Sequence, residues 1–286
     1  MTSPTKSRRT KAAVQAIRDA IYQIVEEYQP MTVRQVFYQL VTRGVIAKTE
    51  AEYKTTVCRL LVQMRRDGQL PFHWIADNTR WQRKPRTYGS LQAMLENCQA
   101  TYRRALWGDQ DTYVEVWLEK EALAGVLIDV TARWDVPLMV TRGYPSVSFL
   151  HSAAEAIAEE SRTIHLYYFG DHDPSGIDID RFVERELRQY APDCDLTFQR
   201  VAVLNEQIDQ FDLQTRPTKR TDSRSRSFEG ESVEVDAIAP DQLRAICEKC
   251  ITRHIDEERL KCTHDVEEAE RETLAMIANE ISSEPN

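Results

Sequence analysis

Three acidic residues, Glu119, Asp171 and Asp173, occupy positions where carboxylates can do chemistry. Glu119 closes the run YVEVWLE, and Asp171 and Asp173 follow the run IHLYYFG. Short apolar runs rich in β-branched and aromatic residues predict strands. In a parallel sheet both acidic groups then lie at the carboxyl ends of strands, where such sheets bind ligands. Carboxylates gathered there repel one another and lose water, so they need a cation. Hard oxygen donors with open positions suit Mg²⁺, which keeps waters and accepts phosphate oxygens. Taken alone, Asp171-His172-Asp173-Pro174 is equally well a surface turn, since Asp and Pro are common there. Glu119 at an equivalent strand end favours the site.

A phenol and a guanidinium form the second candidate pair. Within VRQVFYQLV, residues Val33, Val36, Phe37, Leu40 and Val41 make one apolar helical face, and Tyr38 falls off it. Arg34 lies four residues before Tyr38, so both side chains point the same way. A phenol (unperturbed pKa ~10) is a poor nucleophile unless its charge is stabilised. A neighbouring guanidinium can orient a phosphate and stabilise that charge. The plain alternative is a solvent-facing tyrosine with no role.

The elements that must hold these groups divide the chain. Residues 1–10 are polar and basic, and are expected to be a disordered tail. Residues 11–108 predict a helix from Ala12 to Tyr28, a second opened by the capping box of Thr32 and Gln35, and a third from Glu50 to Asp67 stopped by Gly68. The segment QLPFHWIADNTRW follows as strand and loop, and 90–107 as a connecting helix. That order is the outline of a winged helix-turn-helix. Residues 109–286 alternate strand and helix at the spacing of a mostly parallel sheet, and include a short strand at SVEVDAI and two closing helices. The fold class is therefore α/β: a winged-helix domain, then a parallel-sheet domain with C-terminal helices. The polar stretch 211–230 is a long loop.

Charge follows the same division. The net charge is −9, yet residues 1–90 hold 16 Lys+Arg against 7 Asp+Glu. Whole-chain totals of 37 and 46 leave 21 and 39 for the remainder. A basic first half suits a polyanion such as double-stranded DNA. Lys54, Arg59, Arg65 and Arg66 on the third helix, with Arg80, Arg83, Lys84 and Arg86 after it, are candidates for DNA phosphate contacts. An acidic surface that simply aids solubility, and a solvated helix face, are the bland readings. No apolar run approaches the ~18 residues of a membrane span, and MTSPTKSRRTK lacks the apolar centre of a secretory signal. A cytoplasmic, nucleoid-associated protein with six reduced cysteines is expected. Cys247, Cys250, His254, Cys262 and His264 could suggest zinc, although Leu243, Cys247, Cys250 and His254 also follow a helical core stripe. Nothing matches a phosphate-cradling P-loop.

LEKEA (118–122) with GDHDPSG (170–176) resembles the Toprim acidic signature of topoisomerases, primases and several nucleases. Three features narrow the resemblance to the A subunit of topoisomerase VI and the meiotic double-strand-break protein. They are RGYPSVSF (142–149), the Asp-x-Asp-Pro-x-Gly form of 171–176, and VEVDAIAPDQL (233–243). That family also carries Arg-x-x-Tyr-Tyr upstream, where this chain has Arg34-Gln35-Val36-Phe37-Tyr38. The resemblance spans about residues 30–255 in the family's order. It implies a Toprim-type domain, Mg²⁺ on Glu119, Asp171 and Asp173, and Tyr38 as the attacking tyrosine with Arg34 beside it. Phe37 replaces the first tyrosine of the pair, which removes a hydroxyl but not the nucleophile. The implied reaction is a type IIB topoisomerase A-like double-strand break with a 5′-phosphotyrosyl link. A homodimer, in which one subunit's tyrosine works with the other's metal site, and a separate B-type ATPase subunit are the implied partners. A Toprim nuclease cutting by metal-activated water, with Tyr38 incidental, is the alternative; a non-catalytic DNA-binding scaffold is a third.

Overall fold

The computed structural model describes residues 9–76, 85–217, 228 and 231–283. The chain opens with α1 (Lys11–Tyr28) and α2 (Val33–Thr42). Isoleucine spacing puts Ile17, Ile21, Ile24 and Val25 of α1 on one buried face, as a 3.6-residue period dictates. The capping box forms as expected: Gln35 N donates to Thr32 Oγ1 (3.1 Å) and Thr32 N to Gln35 Oε1 (2.9 Å). The expected third helix is a continuous helical path in three pieces: α3 (Glu50–Glu52), one π-helical turn (Tyr53–Val57), and α4 (Cys58–Arg66). After it come a 3₁₀ turn at Phe72–Trp74 and a parallel bridge between Met31 and Ile75. No paired wing strands occur among the described residues, and 77–84, where part of the wing was expected, lies outside them.

The connecting helix α5 (Leu91–Thr101) is shorter than the sequence suggests. Tyr102 turns extended, and tertiary bonds replace helical ones: Arg271 donates to the Tyr102 carbonyl (2.6 Å) and Arg104 N donates to Glu267 (2.8 Å).

Four parallel strands follow in the spatial order β2-β1-β3-β4. They are β1 (Thr112–Leu118), β2 (Leu138–Val140), β3 (Thr163–Phe169) and β4 (Leu196–Ala202). Between them run α6 (Ala124–Arg133), α7 (Val147–Ala158) and α8 (Pro174–Tyr190). Alternation along the strands serves two cores. Val116, Leu118, Tyr167 and Phe169 meet α6, while Trp117, Leu166 and Tyr168 meet Leu150 of α7 and Val183 of α8. Each such large apolar side chain, fully buried, stabilises by about 1.5–3 kcal/mol. The chain ends in α9 (Asn205–Gln210), α10 (Pro240–Thr252) and α11 (Glu257–Ser283). Cys247 and Cys250 of α10 join the first core beside Leu243, and Cys262 and His264 are exposed. That core continues into Ile21, Val36 and Leu60 of the first half.

The expected strand SVEVDAI is instead a brief bridge and a turn. Val233 exchanges both backbone bonds with His172, after which Val235 N turns to the Asp171 carboxylate (2.8 Å) and a 3₁₀ turn covers Val235–Ala237. A side chain takes the N–H that a neighbouring strand would need. Among the described residues no helix is long and apolar enough to cross a membrane.

Candidate active site

Adjacent strands bring Glu119 and Asp171 together, and Asp173 follows as the cap of α8. Leu118 of β1 pairs with Phe169 of β3, so Glu119 and Gly170 leave the sheet side by side. Asp171 N donates to Glu119 Oε2 (3.0 Å), folding that carboxylate across the strand ends. Gly170 makes this fold possible, since a Cβ there would lie 2.7 Å from Glu119 Oε2 and 2.6 Å from the Tyr168 ring. Asp173 caps α8 by accepting from Gly176 N (2.8 Å), with Pro174 at the first helical position. The helix therefore starts at Pro174. Arg200 of β4 fastens the loop, donating to the carbonyls of Gly170 (3.0 Å), Asp171 (3.1 Å) and Gly176 (2.9 Å).

The electrostatics are uneven. Burial, reinforced by Asp171, pushes the Glu119 carboxyl up to about 7. Burial also raises Asp171, although Lys120 opposes it. Lys120 Nζ sits 2.9 Å from Asp171 Oδ1, 2.7 Å from Asp236 Oδ2 and 3.3 Å from Glu234 Oε2. Burial disfavours that ammonium, but Asp236, Asp171 and Glu234 outweigh it and hold it above the usual lysine range. Glu234 shows the reverse balance: burial would raise it, yet Lys120, Arg34 and Arg216 bring it down to about 2.

Helix α2 faces this cluster. The guanidinium of Arg34 grips Glu234 at two points, Nε to Oε2 (3.2 Å) and a terminal nitrogen to Oε1 (3.0 Å). It lies 4.7 Å from the Tyr53 ring and 5.9 Å from the Tyr38 ring. Arg34 and Tyr38 thus share a face, as their spacing predicts. That face is not solvent-exposed, however: Tyr38 is only 3% exposed, because the turn at Val235–Ala237 packs on α2. Lys48 stands 5.4 Å from the Tyr38 ring and is tied to the carbonyls of Gln214 and Thr215 (both 2.7 Å). Burial and then Glu234 push the Tyr38 phenol up to about 12, against the pull of Arg34, Lys120 and Arg216. An open pocket of about 520 Å³ joins the two halves, lined by Arg34, Tyr53, Glu119, Lys120, Glu234 and Asp236.

Glu119, Asp171 and Asp173 fit a hard divalent cation in donor chemistry. One oxygen of each is held by a backbone N–H, and the second oxygen of Asp173 faces Arg216 at 4.0 Å. As placed, no three acidic, histidine or cysteine side chains among the described residues converge on one point. Lys120 meanwhile supplies positive charge to Asp171. Of the expected DNA contacts, Lys54, Arg59, Arg66 and Arg86 are exposed. Lys54 pairs with Glu50 (3.3 Å), and Arg65 donates to the Leu61 carbonyl (3.1 Å). Arg80, Arg83 and Lys84 lie outside the described residues.

Sequence reasoning did not single out Lys120, Glu234, Asp236, Lys48, Arg200 or Arg216. The first three had a signal: Lys120 lies between Glu119 and Glu121, and Glu234 and Asp236 alternate with apolar residues in VEVDAI. No protein-family model matches the chain, and no curated protein matches it.

Proposed function

We propose that this protein is a Mg²⁺-dependent, DNA-cleaving transesterase that acts in the manner of the topoisomerase VI A subunit. The observation that supports it best is the seam between α2 and the acidic strand ends. Arg34, one turn from Tyr38, pairs with Glu234, and the next residues, Val235 and Asp236, bind Asp171 and Lys120. Within one chain the candidate nucleophile, the cations and the carboxylates thereby share one neighbourhood, and the implied homodimer would exchange them, setting one subunit's Tyr38 against the other's carboxylates. Glu119, Asp171 and Asp173 would hold the metal, which supplies charge to the phosphate oxygens. Arg34 and Lys120 orient the phosphodiester. The Tyr38 oxygen forms a bond to phosphorus as the bond to the 3′ oxygen breaks. The phenolic proton passes to solvent and the 3′ oxygen is protonated, giving a 5′-phosphotyrosyl link and a free 3′ hydroxyl. Since Tyr38 is buried, α2 lifts from the 234–236 segment before attack. A homodimer and a separate ATPase subunit are the partners that accompany this reading.

The burial of Tyr38 and its raised pKa also favour a second reading, a nuclease in which water attacks and Tyr38 only packs. Incubation with supercoiled plasmid and Mg²⁺, analysed on denaturing gels with and without protease, separates the two. Tyr38→Phe keeps the ring and removes only the oxygen. Under the covalent reading it eliminates strand breakage and protease-sensitive adducts together. A Tyr38→Phe protein that cuts at the wild-type rate, with no adduct in either protein, establishes the nuclease instead.

A further inference from the structure

Away from the acidic site, a groove of about 730 Å³ runs between α1 and the π-helical turn leading into α4. Its walls carry Arg9, Lys11, Arg18 and Arg59, with Thr55 and Thr56 between them, and no carboxylate is among its lining residues. The cations are partly positioned. Arg9 donates to Thr56 Oγ1 (3.0 Å) and pairs with Glu52 (2.8 Å). Arg18 reaches Asp67 (2.8 Å) and Gln69 (2.9 Å), while its Nε is shut away from solvent and meets no acceptor. Arg59 has its Nε on the Thr55 carbonyl (3.0 Å). Neither Lys11 nor Arg59 is in an ion pair among the described residues. The first turn of the 18-residue α1 adds the partial positive charge of a helix amino end. The wall opposite α1 contains the π-helical turn Tyr53–Val57, a wide turn of the kind often found at functional sites.

We propose that this groove binds the phosphate backbone of duplex DNA, with Arg9, Lys11, Arg18 and Arg59 as the contacting cations. The inference rests on DNA being the substrate, but not on how it is cut. Of the residues expected from sequence to touch DNA, only Arg59 belongs to the groove; Arg9, Lys11 and Arg18 are additional. An open cleft of this volume with four cations on its walls suits several phosphates of a backbone better than one small anion. Contacts of this type hold the duplex in place without reading its sequence.

The test is the salt dependence of duplex binding by the full chain, followed by fluorescence anisotropy of a labelled oligonucleotide. Each phosphate contact contributes about −0.9 to the slope of log affinity against log salt. Lys11→Ala combined with Arg59→Ala breaks no ion pair, and is expected to reduce the slope by roughly 1–2 and weaken low-salt binding about tenfold or more. Arg185→Ala, an exposed change on α8, leaves the slope unchanged. A double variant with the wild-type slope overturns the groove. So does a polyglutamate peptide whose binding to the wild type is lost in the double variant while duplex affinity and slope stay unchanged, since the groove then serves an acidic protein. If the slope falls as expected while no condition yields cleavage, the groove stands and the transesterase reading falls. If cleavage proceeds with an unaltered slope, the reverse holds.

Discussion

Replacing Glu119 with glutamine keeps the shape of the side chain and removes its charge. The glutamine carbonyl can still accept from Asp171 N, the bond that fixes the carboxylate now. The carboxyl is raised from 4.5 to about 7 by burial and by Asp171. A folded-state pKa above the unfolded one means that the fold favours the protonated form. Stability is therefore fullest below about pH 4.5, declines as pH rises towards 7, and stays reduced above it. A shift of that size corresponds to on the order of 3 kcal/mol lost at about pH 8. Glu119→Gln avoids the loss, so the variant should be more stable than wild type at about pH 8 without divalent metal, by up to on the order of 3 kcal/mol or roughly 5–10 °C in Tm. At about pH 4.5 or below the two should melt together. Thermal denaturation in chelator at both pH values measures this. Millimolar Mg²⁺ should then raise the Tm of wild type more than that of the variant, because a ligand that binds the folded state stabilises it. A variant no more stable than wild type at high pH, or equally stabilised at both, refutes the claim that Glu119 is a desolvated charge beside Asp171.

The remaining predictions concern neighbouring groups. Gly176→Ala would put a Cβ 2.1 Å from the Asp171 carbonyl oxygen, so destabilisation of about 1–3 kcal/mol or more is expected by urea titration. Glu234→Gln strips the charge that pairs with Arg34, Lys120 and Arg216, and should cost on the order of 3 kcal/mol near neutrality. Because the Glu234 pKa is lowered to about 2, that contribution is present above about 4.5 and is lost as pH falls from there to 2; a deficit that persists at the acid end contradicts the assignment. Asp171→Asn should abolish plasmid cleavage in Mg²⁺ while leaving anisotropy-measured DNA affinity within about threefold, and full cleavage by this variant removes Asp171 from the metal site.

Much of the architecture was legible because it is encoded locally. The isoleucine stripe of α1, the Thr32–Gln35 capping box and the run TYVEVWL each state their structure within a few residues. The convergence of Glu119 and Asp171 was legible too, since parallel strands align their carboxyl ends. The environment of Tyr38 was not. A helical wheel shows which face of α2 is apolar, but the surface that covers the other face comes from Glu234, two hundred positions from its partner Arg34. The turn at Val235–Ala237 was hidden for a related reason: alternating VEVDAI reads as a strand until a carboxylate sixty-four positions away claims the Val235 N–H. Long-range polar bonds override local propensity at both places.

The joint between the two halves also bears on how such a protein can be inherited. Arg34 in the first half depends on Glu234, and Arg244 in the second reaches back to the carbonyls of Tyr28 (3.1 Å) and Pro30 (3.3 Å). Each half therefore carries contacts that only its own counterpart can complete. Recombination that imported the first hundred residues from a diverged lineage would take from the buried Glu234 its two-point partner Arg34 and leave it Lys120 and Arg216, unless the region around 234–244 came with them. The stretches around 28–34 and 234–244 are expected to vary in step.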